Sequence, residues 1–250
     1  GSGKTLTAFL TIIDDLVRRS LDGSLPDAVQ CVYISPIKAL ANDIEKNLMG
    51  PLGEIKERFL PSRAKEIKVG LRTGDTPQSE REKMLRKPPH ILITTPESLG
   101  LGLASKRFRP ILDQMKWFII DEMHSLVPTK RGTHLSLSMA LMDSVVSSDV
   151  QRIGISATME PLDAVAEFLV ASDSRESDAE PQKVAIAKIS GDRELDLDII
   201  LPTPRFSSIP VKEILDHNVD RIKELAEAHT TTLVFVNTRN MTETVVQRLK

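Results

Sequence analysis

Five short apolar runs, at residues 31–34, 67–71, 91–95, 117–121 and 153–156, constrain this chain more than any other feature. Each is too short for a helix. Each is also too uniformly apolar for a strand with one wet face, so each predicts a strand buried on both sides. Helical spacing fills the intervals at 37–49, 76–86, 135–146 and 161–170. A further helical face, Leu6, Phe9, Leu10, Ile13, Leu16 and Val17, precedes the first run. Strand and helix alternate, and that alternation predicts an α/β fold: a doubly wound parallel sheet with helices on both faces. In such a sheet ligands gather beyond the carboxyl ends of the strands, so polar motifs there carry the chemistry.

Composition narrows the functional classes. The 40% hydrophobic and 27% charged residues are those of an ordinary globular protein. With 33 basic and 35 acidic side chains the net charge is −2. That excludes a globally basic nucleic-acid binder and leaves room for a local basic groove. Cys31 is the single cysteine, so no disulfide framework or zinc cluster is expected; this fits a reducing, intracellular compartment. No apolar stretch approaches the roughly 18 residues needed to span a bilayer.

The alternation stops near Ala171. Residues 172–182 are polar, charged and without periodicity, and read as a linker. Beyond it, 184–189 and 195–201 read as strands, 214–228 as a helix and 232–236 as a buried strand, with a last helix running to Lys250. The expected organisation is one domain over 1–171 and the opening of a second α/β domain over 183–250.

Two motifs point to nucleoside triphosphate chemistry. Gly1-Ser2-Gly3-Lys4-Thr5 stands directly before the first helical face. Glycines there let backbone N–H groups wrap phosphate oxygens, Lys4 reaches the β- and γ-phosphates, and the Thr5 hydroxyl suits Mg2+. The loop calls for a further glycine ahead of residue 1, so the chain reads as a fragment. Asp121 and Glu122 end the run Trp117-Phe118-Ile119-Ile120. Asp121 suits the metal and Glu122 suits polarising an attacking water. His124 follows two residues later and is expected to relay the nucleotide state.

Gly-Ser-Gly-Lys-Thr, Asp-Glu-Met-His at 121–124 and Ser-Ala-Thr at 156–158, in that order, resemble motifs I, II and III of superfamily 2 DEAD/DEAH-type helicases. Ser35-Pro36-Ile37-Lys38-Ala39-Leu40 resembles motif Ia, Thr73-Gly74-Asp75 the glycine-containing turn, and Thr94-Thr95-Pro96-Glu97-Ser98 motif Ib. Leu233-Val234-Phe235-Val236-Asn237-Thr238-Arg239 resembles motif IV. Within the superfamily, residues 36–43 and 129–135 look like the prokaryotic large helicase-related (Lhr) group.

The resemblance implies RecA-like lobes with ATP and Mg2+ between them and single-stranded or partly duplex nucleic acid crossing both, DNA being favoured. Pro36, Lys38, Thr73, Gly74, Thr94 and Thr95 would grip the sugar-phosphate backbone without reading sequence, and so would Asn237, Thr238 and Arg239. Ser156 and Thr158 would link hydrolysis to lobe movement. Lys130 and Arg131 stay open between a phosphate contact and a solvated loop. The implied activity is an ATP-dependent helicase or translocase, with DNA repair as a setting. The alternatives are a clamp or remodelling ATPase that does not unwind processively, and an unrelated P-loop ATPase. In the family, motifs V and VI supply a transition-state arginine, so this chain alone is expected to turn over ATP weakly or not at all.

Overall fold

The computed structural model describes residues 3–62, 64–157, 160–170, 184–188, 196–201 and 211–249. The chain divides into two compact units, Gly1–Ala187 and Lys188–Lys250.

The first unit is built on five parallel strands: β1 (Cys31–Ile34), β2 (Val69–Arg72), β3 (Ile91–Thr94), β4 (Trp117–Ile120) and β5 (Gln151–Gly154). Their order across the sheet is β2-β3-β1-β4-β5. In β1, Cys31, Val32, Tyr33 and Ile34 are all 0% exposed, as expected for a central strand covered on both faces. Alternation along the strand sends Cys31 and Tyr33 to one face, with Phe9, Leu16, Ile93 and Ile119. It sends Val32 and Ile34 to the other, with Leu92, Phe118, Leu99 and Met139.

Helices α1 (Lys4–Asp22) and α2 (Lys38–Phe59) cover the Tyr33 face. The helices α4 (Pro96–Leu103), α5 (Met123–Leu126), α6 (Lys130–Asp143) and α7 (Leu162–Leu169) contribute to the opposite core, with Met84 of α3 (Gln78–Arg86) packed at its margin. This is the doubly wound parallel sheet expected from the alternation. Because all five strands run the same way, the turns after β1, β2, β3, β4 and β5 share one edge.

Several boundaries differ from the sequence reading. Helix α2 continues ten residues past Met49 through Gly50 and Pro51, because Leu48 and Leu52 keep its apolar face buried. Helix α6 starts at Lys130 rather than residue 135: the Thr129 hydroxyl accepts the Gly132 N–H at 3.4 Å and caps it. A Cβ at Gly132 would run into the Leu126 carbonyl, so a glycine permits this close approach. Helix α4 was not expected at all. Thr95 caps it and Pro96 opens it, a favoured first helical residue.

The second unit contains α8 (Val211–Ala228) and α9 (Arg239–Leu249), with Val219 and Val245 buried and Arg248 paired with Asp216. The strand expected at 232–236 is absent: Leu233 and Phe235 are 78% and 90% exposed. Residues 184–188 and 196–201 likewise form no strand. A β-branched run becomes a strand only when a neighbour completes its hydrogen-bond ladder, and no such partner stands beside these segments among the described residues. The expected linker, 172–182, lies outside the described residues.

Candidate functional site

At the shared edge, Lys4, Asp121, Glu122 and His124 are joined by one chain of hydrogen bonds that runs through Ser156. Gly3 lies just before α1 with φ 70°, a left-handed conformation that glycine adopts without steric cost. Lys4 Nζ, in the first turn of α1, donates to the Ser156 carbonyl at 2.7 Å. The Ser156 hydroxyl accepts the His124 backbone N–H at 3.2 Å and lies 3.4 Å from His124 Nδ1. His124 Nδ1 also accepts the Ala157 N–H at 3.4 Å, which leaves Nε2 to carry the proton. That Nε2 faces Glu122 Oε2 at 3.2 Å. The Glu122 N–H donates to Asp121 Oδ1 at 2.9 Å.

Asp121 is 4% exposed, and its second oxygen accepts the Tyr33 hydroxyl. The Thr5 side chain, in the first turn of α1, acts on the same phenol in the opposite sense to Asp121. Stacking on Phe9, with ring centroids 5.2 Å apart, fixes the Tyr33 ring. Burial and the Asp121 carboxylate push the Tyr33 pKa upward, so the phenol stays a donor.

The turn that presents Glu122 is unusual. Glu122 has φ 51° and ψ 44°, the one non-glycine residue with positive φ among the described residues. Such a conformation costs about 1–3 kcal/mol and persists where its surroundings over-determine it. Here the surroundings do so: Asp121 N donates to Ile34 O, Met123 N to Ile155 O and Ser125 N to Glu122 O, at 3.0, 3.0 and 2.8 Å.

Thr5 and Asp121 both act on the Tyr33 phenol, and they offer a hydroxyl and a carboxylate of the kind a hard cation takes. Among the described residues no group of three or more His, Cys, Asp or Glu is placed to hold a metal ion by itself. An oxygen donor pair of this kind fits Mg2+, which takes one or two protein ligands and completes its shell with phosphate and water. Gly1, Ser2 and Thr158 lie outside the described residues.

The other end of the edge is built differently. Lys38 is exposed and pairs with Asp75, at 2.6 and 2.7 Å. The exposed Gly74 carbonyl accepts from Arg81 at 2.9 Å. Thr94 is 0% exposed and its hydroxyl donates to the Arg72 carbonyl at 2.7 Å. Thr73 and Thr95 are buried as well, and their hydroxyls bond the Asp75 N–H and the Ser98 hydroxyl. Pro36 is buried, with its carbonyl accepting from Arg131 at 2.6 Å. These buried residues shape turns; Lys38 and Gly74 face solvent. In the second unit Asn237, Thr238 and Arg239 are exposed, and the Thr238 hydroxyl accepts the Met241 N–H at 3.2 Å at the start of α9.

Sequence reasoning missed Tyr33 and Glu97 and left Arg131 undecided. The signal for Tyr33 was a lone hydroxyl inside an apolar run, since a buried tyrosine hydroxyl needs a partner.

Comparison with known proteins gives the family. The DEAD/DEAH box helicase family matches residues 1–166. The ATP-dependent helicase Lhr-Core of Methanothermobacter thermautotrophicus is 48% identical over the whole chain, and the chain spans 28% of that relative. The Lhr helicase/probable uracil glycosylase of Mycolicibacterium smegmatis is 40% identical, and the chain spans 16% of it. The structure of Mycobacterium smegmatis helicase Lhr bound to ssDNA and AMP-PNP superposes with a TM-score of 0.78 at 41% identity, over all of this chain and 30% of that one. Among the described residues, no helix is long and apolar enough to cross a membrane. The chain belongs to the DEAD/DEAH box helicase family, its five-stranded sheet is a RecA-like fold, and its likeness within the family is to the Lhr helicases.

Proposed function

We propose that this chain is the ATP-hydrolysing, strand-gripping portion of an intracellular nucleic-acid helicase or translocase, with 1–171 as one RecA-like lobe and 183–250 as the opening of a second. The observation that carries the proposal is the hydrogen-bonded chain Lys4–Ser156–His124–Glu122–Asp121–Tyr33.

Gly1, Ser2 and Gly3 would wrap the phosphates of ATP, and Lys4 would neutralise the β- and γ-oxygens. Thr5 and Asp121 would hold Mg2+, which draws charge from the transferring phosphoryl group. Glu122, anchored through its backbone while its carboxylate faces His124, would orient and polarise the attacking water. His124 and Ser156, together with Thr158, would carry the state of the phosphate site to the loop after β5.

The strand would cross the carboxyl ends of β1, β2 and β3. Lys38 and Gly74 would meet phosphates directly, while Pro36, Thr73, Thr94 and Thr95 would shape the turns that present backbone donors. Asn237, Thr238 and Arg239 would add contacts from the second unit. Support for DNA as the strand comes from the relative solved with ssDNA and AMP-PNP. The test is Glu122→Gln in the full-length protein: ATP binding is retained and strand-stimulated hydrolysis is lost. Unchanged turnover would remove Glu122 from this role.

A further inference from the structure

Arg131 sits in the first turn of α6, nine residues beyond Glu122, and its guanidinium reaches the two segments that follow β1 and β3 at the same edge. Nε donates to Glu97 Oε1 at 2.5 Å and Nη2 to Glu97 Oε2 at 3.2 Å, a two-pronged pairing across α4 and α6. Nη2 also donates to the Pro36 carbonyl at 2.6 Å. One side chain therefore ties together the exits of β1 and β3 and α6, the second helix after β4.

The surroundings reinforce this assignment. A groove of about 230 Å³ lies between the Glu122 turn and the Pro36-Ile37 turn, lined by Pro36, Ile37, Leu40, Glu122, Ser125 and Arg131. Arg131 and the catalytic glutamate thus share one groove with the turn that precedes Lys38. Arg131 also holds the Glu97 carboxyl below its usual range, so the pair stays ionised. With three of its hydrogen bonds directed at protein oxygens, Arg131 has a geometry suited to bracing turns rather than to receiving a phosphate.

We propose that Arg131 is a positioning residue: it fixes the strand-contact turns after β1 and β3 relative to the Glu122 turn, and is not itself a phosphate contact. The proposal rests on the helicase reading above and extends it by assigning the bracing of the strand-contact turns to one guanidinium.

The experiment compares wild type, Arg131→Ala, Arg131→Lys, Glu97→Gln and the Arg131→Ala/Glu97→Gln double variant in the full-length protein. Binding of a dye-labelled single-stranded oligonucleotide is measured by anisotropy across a salt series, and ATP turnover with and without that strand. Arg131→Ala and Glu97→Gln are each expected to weaken strand binding by about three- to fivefold, the scale of one exposed ion pair. The double variant should be no worse than Arg131→Ala, which already removes both the Glu97 and the Pro36 bonds. The strand concentration for half-maximal stimulation rises, basal turnover stays put, and the salt slope stays at the wild-type value. Lysine does not rescue, since a point charge cannot make the fork.

A salt slope reduced by about one in Arg131→Ala would overturn the proposal, because it marks a lost phosphate contact. Tighter binding by Glu97→Gln would also overturn it, since a freed guanidinium would then be reaching phosphate. So would wild-type behaviour in both variants. If Arg131→Ala fails to fold by circular dichroism, Glu97→Gln decides by the same criteria. Wild type that neither binds nor responds to the strand would instead sink the helicase reading itself.

Discussion

The two ends of one sheet edge hold their functional groups by opposite means. Beyond β4 and β5, Asp121 is buried against Tyr33 of β1, and Glu122, His124 and Ser156 are joined to it by short hydrogen bonds. Beyond β1, β2 and β3, the groups are turns braced by long side chains: Lys38 with Asp75, Arg81 with the Thr73 and Gly74 carbonyls, Arg131 with Glu97 and Pro36. The first arrangement suits phosphoryl chemistry, where a reacting group must be fixed and partly desolvated. The second suits gripping a polyanion, where exposed cations and backbone donors follow a chain without reading its sequence. Perturbation should therefore act on rate and fold at one end, and on salt-dependent affinity at the other.

The largest expected effect lies at the chemical end. Glu122→Gln should cut strand-stimulated turnover by about 10²- to 10⁴-fold, the usual contribution of a positioned acid–base group, with nucleotide affinity kept; steady-state turnover and a fluorescent-nucleotide titration check both halves. Next comes Tyr33→Phe, which removes the donor to the buried Asp121 carboxylate. It should lower unfolding free energy by about 1.5–3 kcal/mol, the scale of a hydrogen bond to a charged group, as read from denaturant midpoints on the chain without nucleotide. A wild-type midpoint would mean that Asp121 is held by its backbone bond alone.

At the gripping end the effects should be smaller and of another kind. Lys38→Ala should weaken strand binding uniformly across base sequences and lower the salt slope by about one. A sequence-selective loss would contradict a backbone grip.

The smallest effect belongs to neither end. His90, just ahead of β3 at the opposite edge, is buried and accepts the Lys68 N–H on Nδ1 at 2.9 Å. Burial lowers its pKa from 6.5 to about 4. The unfolded chain takes up this proton first, so the stability His90 contributes is complete above about pH 6.5 and is lost as pH falls toward 4. Denaturant midpoints between pH 7 and 4.5 should show this slope, and His90→Gln should flatten it.

Much of this arrangement can be read from the chain. Apolar runs such as Cys31–Ile34 and Trp117–Ile120 are buried strands because no other element buries both faces of four residues. Lys4, Thr5, Asp121, Glu122, His124 and Ser156 meet because each follows a strand or opens a helix at the same edge. What eluded the sequence depends on tertiary partners. Helix α4 hides behind Gly100 and Gly102, which weaken helix propensity; a Cβ at Gly102 would press on Phe108, so packing demands a glycine there. Gly50-Pro51 reads as a helix stop, yet α2 runs through it because Leu52 is buried on the same face as Leu48. Arg131 and Glu97 stand 34 residues apart, and only the packing of α4 on α6 reveals them as a pair. At 232–236 the β-branched run misled, since strand propensity acts only with a neighbouring strand.

The most direct test of the division between a chemical end and a gripping end is ATP turnover by the full-length protein with and without single-stranded DNA and RNA, run beside Glu122→Gln and Lys38→Ala. Stimulation by a strand is predicted, with Glu122→Gln abolishing turnover at any strand concentration and Lys38→Ala shifting only the strand concentration required. Hydrolysis that ignores every polynucleotide would contradict the assignment of the β1–β3 edge and leave the chain a P-loop ATPase with another partner.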